Sequence, residues 1–195
     1  MSSSPATFSS RPITGMAAGE VALAIDFRAA APLSRLYAIT NFGQLYLISN
    51  PSTGAAVAVG PGGIAINGTE VGLDFNPTVD RIRLITDNEQ NLRLHPDLGT
   101  VVATDLSLAF AGSDVNAGSN PQATGAAYTN SFAGATTTTL YDVDASLDVL
   151  VTQLPPNNGT LNTVGSLGAN VDTLNGFDIS GATTTAYAAF HVPVT

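Results

Sequence analysis

Residues 71–104 read VGLDFNPTVDRIRLITDNEQNLRLHPDLGTVVAT. Four short runs rich in valine, isoleucine and leucine alternate in this stretch with clusters of aspartate, asparagine, proline and glycine. The apolar runs favour β-strands, because branched side chains pack well on a pleated sheet. The clusters favour turns, since proline removes a backbone donor and glycine adopts positive φ. The stretch therefore predicts four short strands joined by tight turns.

The same order of strands and turns recurs along the chain with a period of roughly 50 residues, which is the signature of a repeat architecture. The turn NPSTG at 50–54 corresponds to HPDLG at 95–99. The runs that open the successive repeats are LAIDF at 23–27, GLDF at 72–75, GAAY at 125–128 and GFDI at 176–179. We predict repeat units at approximately residues 22–62, 71–105, 124–166 and 175–195.

Tandem four-stranded units predict an all-β, β-propeller-like fold with one blade per unit, in a single domain over residues 1–195. One blade is a small twisted sheet that cannot bury both of its faces, whereas stacking against its neighbours buries them. The first strand of each unit would then lie nearest the shared axis. This arrangement would bring Asp26, Asp74 and Asp178 close together.

The composition excludes several classes of function. Fifteen carboxylates and six arginines, with no lysine, give a net charge of −9. Phosphate backbones and anionic lipids repel such a chain, so we predict neither nucleic-acid nor membrane-surface binding. The absence of cysteine excludes disulfides and thiolate chemistry, and no run approaches the ~18 apolar residues of a membrane span. The lysine-free composition favours an extracellular, periplasmic or cell-envelope location, with the export signal absent from this sequence.

Nucleophilic catalysis finds little support in the sequence. The chain has two histidines, His95 and His191. His95 precedes a proline in a predicted turn, where its side chain can bond the local backbone, and His191 lies near the end of the chain without an evident role. No Ser-His-Asp arrangement can be argued from them. We therefore predict a non-enzymatic protein with no catalytic residues.

The recurrent aspartates are the first candidate site. Asp26, Asp74 and Asp178 occupy equivalent positions on the predicted innermost strands, whereas the third unit has Ala127 there. Carboxylates that converge on one point suggest a hard cation such as calcium. The alternative is that each aspartate accepts backbone N–H bonds or pairs with an arginine and organises its own blade.

A second candidate metal site is the polar segment between two predicted strands. Asp87, Glu89 and Asn91 offer oxygen ligands at alternate positions, although the spacing is not that of an EF-hand. The alternative is a solvated hairpin turn. No other cofactor is predicted. A further acidic cluster, predicted as a surface turn, comprises Asp142, Asp144 and Asp148.

Three arginines alternate along two paired strands and share one face: Arg81, Arg83 and Arg93. They predict either cross-strand ion pairs or an anion-binding patch. The carboxylates nearest to them in the sequence, and therefore their expected partners, are Asp80, Asp87 and Asp97.

Several runs resemble DUF4394, a bacterial family of unknown function, and the resemblance extends from about Ile13 to Tyr187. The runs that carry it are GLDFNPTVDRIR at 72–83, QNLRL at 90–94, AYTNS at 127–131, LDVLVTQ at 147–153 and NNGTL at 157–161. The resemblance implies a propeller-like fold in exported proteins and supplies no activity and no catalytic residues. Because family members carry further strands at both ends, it also implies an incomplete or open ring here.

The exposed edges of an open ring favour self-association or a protein partner. We therefore expect a non-enzymatic binding or scaffold module of the cell envelope or extracellular space. The first alternative is a structural subunit of a self-associating or larger assembly. The second is a carboxylate- or metal-assisted hydrolase or lyase.

Overall fold

The computed structural model describes residues 10–29 and 35–192, so residues 193–195 of the predicted fourth unit and 30–34 of the first lie outside it. The described chain is all-β, as predicted, apart from a 3₁₀ turn at Pro156–Asn158. None of its helical segments is long and apolar enough to cross a membrane.

The strands form four sheets. The first sheet contains β1 (Ala22–Arg28), β2 (Arg35–Thr40), β3 (Leu45–Asn50) and β4 (Ala55–Val59). The second contains β5 (Val71–Asn76), β6 (Arg81–Thr86), β7 (Asn91–His95) and β8 (Thr100–Thr104). The third contains β9 (Ala109–Phe110), β10 (Ala123–Tyr128), β11 (Leu140–Asp144), β12 (Val149–Gln153) and β13 (Thr160–Ser166). The fourth contains β14 (Asn175–Ile179) and β15 (Ala186–Phe190).

Neighbouring strands pair antiparallel in chain order within each sheet, with one exception in the third. There β9 adds in parallel to the outer edge of β13. Backbone N–H groups of Ala109 and Ala111 donate to the carbonyls of Gly159 and Leu161, each at 2.9 Å. The sheet of the predicted third unit therefore contains a fifth strand that the sequence did not indicate. β9 pairs there because the outer edge of β13 would otherwise have free backbone groups, which any nearby chain can bond. A strand of two residues is too short to give a periodic pattern, so the sequence did not predict it.

The strands that open the four repeat units are β1, β5, β10 and β14, here called the first strands. They lie side by side: β1 contacts β5, β5 contacts β10, and β10 contacts β14. Their residues also have matching partners on the second strands. Asp26 lies opposite Tyr37, Asp74 opposite Arg83, Ala127 opposite Tyr141 and Asp178 opposite Tyr187. The repeat seen in the sequence therefore corresponds to repeated positions in the sheets.

Apolar side chains fill the space between consecutive sheets. Between the first and second sheets, the rings of Tyr37 and Phe75 pack with centroids 5.2 Å apart, inside a cluster that includes Leu45 and Leu94. A second cluster, which includes Ile85 and residues of the third sheet, lies on the other face of the second sheet. The second sheet is thus covered on both faces and forms the centre of the core.

The other face of the first sheet is covered differently. Tyr46 and Ile48 pack there against Ile13 and Met16 of the N-terminal segment. Thr14 extends the sheet by a parallel bridge to Ala55 on β4. A short segment, rather than a whole sheet, therefore covers part of this face.

The end of β4 crosses the turn between β7 and β8 at two glycines, Gly60 and Gly99, both with positive φ. A Cβ atom on Gly99 would lie 2.1 Å from the carbonyl oxygen of Val59. We expect Gly99→Ala to lower the free energy of unfolding by about 2–4 kcal/mol, because both the φ angle and the contact penalise a side chain. Urea denaturation measures this loss.

The matched control for that crossing is Gly112→Ala. No heavy atom lies within 4 Å of the Cβ position at Gly112, and its φ is not left-handed. We expect this change to alter stability by less than about 0.5 kcal/mol. Equal losses in the two variants would show that the close approach of the two sheets is not what constrains Gly99.

Candidate functional site

Two aspartates on the first strands connect three of the sheets. Asp26 on β1 accepts a hydrogen bond from the backbone N–H of Phe75 on β5, at 2.9 Å. Asp74 on β5 accepts one from the backbone N–H of Tyr128 on β10, at 2.8 Å. These bonds match the interpretation in which the aspartates serve as backbone acceptors. However, each aspartate fixes the next sheet along the chain rather than organising its own.

Asp26 and Asp74 are neighbours across this junction, since the N–H that Asp26 accepts belongs to the residue that follows Asp74. Burial raises the pKa of Asp26 to about 7. Burial, and then the charge of Asp26, raise the pKa of Asp74 well above its ordinary value. Oδ1 of Asp74 is buried, and no N–H or hydroxyl group of the described residues donates to it. Burial therefore favours the neutral form of both carboxyl groups.

Asp178 completes the predicted trio, but from a different environment. It is exposed on β14, and its charge contributes to the raised pKa values of Asp26 and Asp74. Asp26 and Asp178 line one cleft of about 500 Å³. Within the described part of the chain, no three histidine, aspartate or glutamate side chains are arranged to hold a metal ion. Calcium binding by the trio stays a prediction.

The residues of the second candidate metal site make separate contacts. Asp87 accepts from the backbone N–H of Thr69 at 2.8 Å, and Glu89 accepts from the side chain of Asn120 at 2.8 Å. Asn91 is buried and donates to the carbonyls of residues 106 and 156. The three side chains therefore serve three different connections, and Asn91 lies buried at the start of β7 rather than in a solvated turn.

The arginines do form ion pairs, but the predicted partners were wrong. Arg83 and Arg93 both bond Asp105, at 2.7 and 2.8 Å. Although burial opposes it, these guanidinium groups keep the pKa of Asp105 below its usual value. Because Arg83 and Arg93 share one carboxylate, they are not free to hold an anion. Asp105 follows β8 and carries no signal in the sequence that would single it out.

Two of the expected partners instead bind an arginine of the first sheet. The guanidinium of Arg28 forms ion pairs with Asp80 and Asp97, which lie on two turns of the second sheet. Arg28 is buried and its guanidinium also contacts the hydroxyl of Tyr37. The ion pairs of Arg28 therefore join the first sheet to the second.

Two of the three aspartates predicted to form a surface turn are in fact buried. Asp142 and Asp144 on β11 are both 0% exposed. Neither carboxyl oxygen of Asp142 has a hydrogen-bond partner among the described residues, and burial raises its pKa well above the ordinary value. Asp148 accepts from the backbone N–H of Val171 at 2.8 Å. The prediction is therefore wrong for Asp142 and Asp144, which lie buried on β11, whereas Asp148 does lie in a turn and is half-buried.

The histidines have local roles. Nδ1 of His95 accepts from the backbone N–H of Asp97 at 3.2 Å, as the turn interpretation predicts. The ring of His191 contacts Asp172, and this contact lowers the pKa of Asp172.

A further candidate site, which sequence reasoning missed, is the cleft between the first and fourth sheets, here called the seam. Its volume is about 380 Å³. Ile25 and Phe27 on β1 face it and remain 56% and 46% exposed. Opposite them is β15, which pairs only with β14 among the described strands. The alternation of Ile25 and Phe27 around Asp26 is the only sign of this face in the sequence.

A family model described as a domain of unknown function, DUF4394, matches residues 1–195. Neither a curated protein nor a solved structure matches the chain. The family description assigns no activity, so the arguments for function must come from the geometry of the molecule.

Proposed function

The chain belongs to the DUF4394 family, and from that premise we propose that it is a non-enzymatic binding module, an open propeller-like ring of β-sheets that binds another protein through the seam. The observation that carries this proposal is the exposure of Ile25 and Phe27 on a sheet face that the N-terminal segment covers only in part. Apolar side chains grouped at a cleft are typical of interaction surfaces.

The propeller-like arrangement is supported by the order in which the first strands touch. Each contacts the next from β1 to β14, as strands around one axis would. The hydrogen bonds from Phe75 to Asp26 and from Tyr128 to Asp74 repeat the same link at two successive junctions. The fourth sheet has two strands in the described part of the chain, whereas the others have four or more. The ring is accordingly open at the seam.

The partner we propose supplies a β-strand. The sequence of β15 is AYAAF, without proline or charge, and its outer edge has unpaired backbone groups among the described strands. Edge strands of this kind accept an added strand, whose backbone gives affinity while alternate side chains enter pockets. The side chains of such a strand would pack on Ile25 and Phe27. We place the module in the cell envelope or outside the cell, in keeping with its lysine-free composition.

A photo-crosslinking amino acid at position 27 tests the proposal. We place this amino acid at position 27 of the protein in cells of the organism that makes it. We expect it to form one dominant adduct with another polypeptide. The control is the same amino acid in place of Phe42, which is 56% exposed at a turn of the first sheet and does not line the seam. Equal adducts at the two positions, or none at position 27, would contradict binding at the seam.

Self-association is the second candidate, because the free edge of β15 is available to another copy. Light scattering after size exclusion separates the two cases. A dimer or larger species that Phe27→Glu converts to monomer supports self-association, and a monomer for both proteins supports a different partner.

A hydrolase has less support. Carboxyl pairs of glycosidases flank the bond that they cleave, whereas Asp74 is buried and its carboxyl group accepts a backbone N–H of the third sheet.

A further inference from the structure

Two positions on the first strands are buried in the second and third sheets but exposed in the first. The register places Phe27 of β1 at the position of Phe75 on β5 and of Tyr128 on β10. Phe75 and Tyr128 are each 1% exposed, because side chains of the preceding sheet pack on them, whereas Phe27 is 46% exposed. Two residues earlier, Ile25 is exposed and Leu73 of β5 is buried. The first sheet therefore lacks the cover that the next two sheets have.

The third sheet lacks cover on its opposite face. In the first sheet, Tyr37 and Leu45 face the second sheet and are buried. The register places Tyr141 of β11 and Leu150 of β12 at the same two positions of the third sheet, yet both are only half-buried. The two strands of the fourth sheet therefore cover this face only in part.

The element that would cover both faces is half of a sheet. The first and second sheets each have four strands, whereas the fourth has two in the described part of the chain. Two further antiparallel strands can extend it from the free edge of β15, and two such strands joined by a tight turn form a β-hairpin. One face of the hairpin would lie on Tyr141 and Leu150, and the other would face Ile25 and Phe27. Both of its faces would therefore be buried.

A hydrogen bond that joins the first two sheets has an unused counterpart at the seam. Asp26 of β1 accepts from the backbone N–H of Phe75 on β5 at 2.9 Å. Asp178 occupies the position of Asp26 on β14, and Phe27 occupies the position of Phe75 on β1. Asp178 and Phe27 line one cleft, but β14 is not packed on β1 as β10 is packed on β5. The donor and the acceptor for this junction are therefore present on its two sides.

An aromatic contact has the same kind of counterpart. The rings of Tyr37 and Phe75 pack between the first and second sheets with centroids 5.2 Å apart. Tyr187 of β15 occupies the position of Tyr37, and Tyr187 and Phe27 both line the seam. The fourth and first sheets therefore carry the side chains of an inner junction without its packing.

We propose that the protein bound at the seam contributes a β-hairpin, whose strands become the third and fourth strands of the fourth sheet and bring that sheet onto the first. Closure gives the N–H of Phe27 the carboxylate of Asp178 as its acceptor and packs Tyr187 on Phe27. Because both faces of the hairpin are buried, its strands carry apolar side chains and few charges. This inference rests on the proposed function, since it specifies what the partner at the seam supplies.

A synthetic peptide of residues 45–59, the β3–β4 hairpin of the chain itself, is the probe. It is an uncharged pair of third and fourth strands. By calorimetry, we expect the full chain to bind it at least about tenfold more tightly than a peptide of residues 45–50, which is a third strand alone. Phe27→Ala should weaken binding of the hairpin at least about tenfold. Phe42→Ala is the matched control, at an exposed phenylalanine outside the seam, and should leave the affinity unchanged.

Variants of Asp178 distinguish closure from the burial of an apolar patch. Asp178→Ala removes the acceptor for the N–H of Phe27 and should weaken binding of the hairpin about fivefold. Asp178→Asn keeps an oxygen acceptor and should restore most of that affinity. Amide hydrogen exchange at Phe27 should slow at least about tenfold when the peptide binds the wild type, and less than about threefold in Asp178→Ala.

Equal affinities for the hairpin and the single strand, or an affinity that Phe27→Ala does not lower, would overturn the inference. A dimer of the chain that the peptide dissociates would show that a second copy occupies the seam, and would overturn it as well. If the adduct at position 27 still forms in cells when the peptide does not bind, only the hairpin is wrong and the seam still binds a protein. If that adduct is also absent, the proposed function is wrong too.

Discussion

Replacing Arg83 with alanine will destabilise the protein by about 3–4 kcal/mol. Arg83 is 2% exposed, and its guanidinium donates to Asp105 at 2.7 Å, to Asn91 at 2.6 Å and to Asn157 at 2.8 Å. Asp105 lies in the chain after β8, Asn91 on β7 of the second sheet, and Asn157 in the turn before β13. Truncation removes the donor that these three groups share, leaves a cavity at a buried position, and leaves Asp105 with Arg93 as its remaining ion-pair partner among the described residues.

Equilibrium unfolding in urea measures the effect, with Arg81→Ala as the matched control. Arg81 lies two residues earlier on the same strand, and its guanidinium donates to the backbone carbonyls of Val79 and Asp80. We expect its truncation to cost less than about 1 kcal/mol. Arg83→Lys should fall between the two, since it keeps the charge but loses the planar donor fork. A loss at position 83 no larger than at position 81 would contradict the role of Arg83 as the junction between sheets.

Replacing Asp142 with valine will stabilise the protein by roughly 2 kcal/mol at pH 7, although most core substitutions destabilise. The carboxyl of Asp142 is 0% exposed and has no hydrogen-bond partner among the described residues, so the folded state must keep it protonated and unbonded. Ala38 and Leu84 lie at the matching positions of the first and second sheets, and both are fully buried. Valine restores an apolar, strand-favouring side chain there.

Asp144→Val is the matched control, since it changes the same residue type on the same strand at equal burial. Oδ1 of Asp144 accepts from the N–H groups of Ser146 and Leu147, each at 3.0 Å, and Oδ2 from that of Gln122 at 3.0 Å. We expect this variant to lose about 2–4 kcal/mol, because three backbone donors are left without a partner. Changes of opposite sign in the free energy of unfolding of the two variants, measured by urea unfolding, would confirm that hydrogen bonding and not burial decides the outcome.

The gain from Asp142→Val should also increase with pH. Burial raises the pKa of Asp142 in the folded state, so the wild type loses stability as pH rises above the unfolded value near 3.8 toward the folded one. Valine does not titrate and escapes that loss. The difference between the two proteins should therefore be larger at pH 8 than at pH 5. A constant difference would mean that Asp142 does not change its protonation on unfolding.

Local sequence patterns determined the strands and turns of this protein. The runs of 71–104 form β5 to β8, and the turn HPDLG at 95–99 separates β7 from β8. These signals act within a few residues: side-chain alternation sets a strand, and proline and glycine restrict φ. They also placed Asp26 and Asp74 on equivalent strands, because the repeat preserves position in the sheet.

Only the tertiary structure decided which of these side chains are buried and what they contact. Strand alternation places Asp142 on a face without saying whether water or another sheet covers that face. Arg83 meets Asn157, and Asp26 meets the N–H of Phe75, through the packing of whole sheets on one another. The exposure of Ile25 and Phe27 likewise depends on how the fourth sheet lies against the first. The reason is that burial and pairing are long-range properties, set by the sum of contacts between sheets rather than by neighbours along the chain.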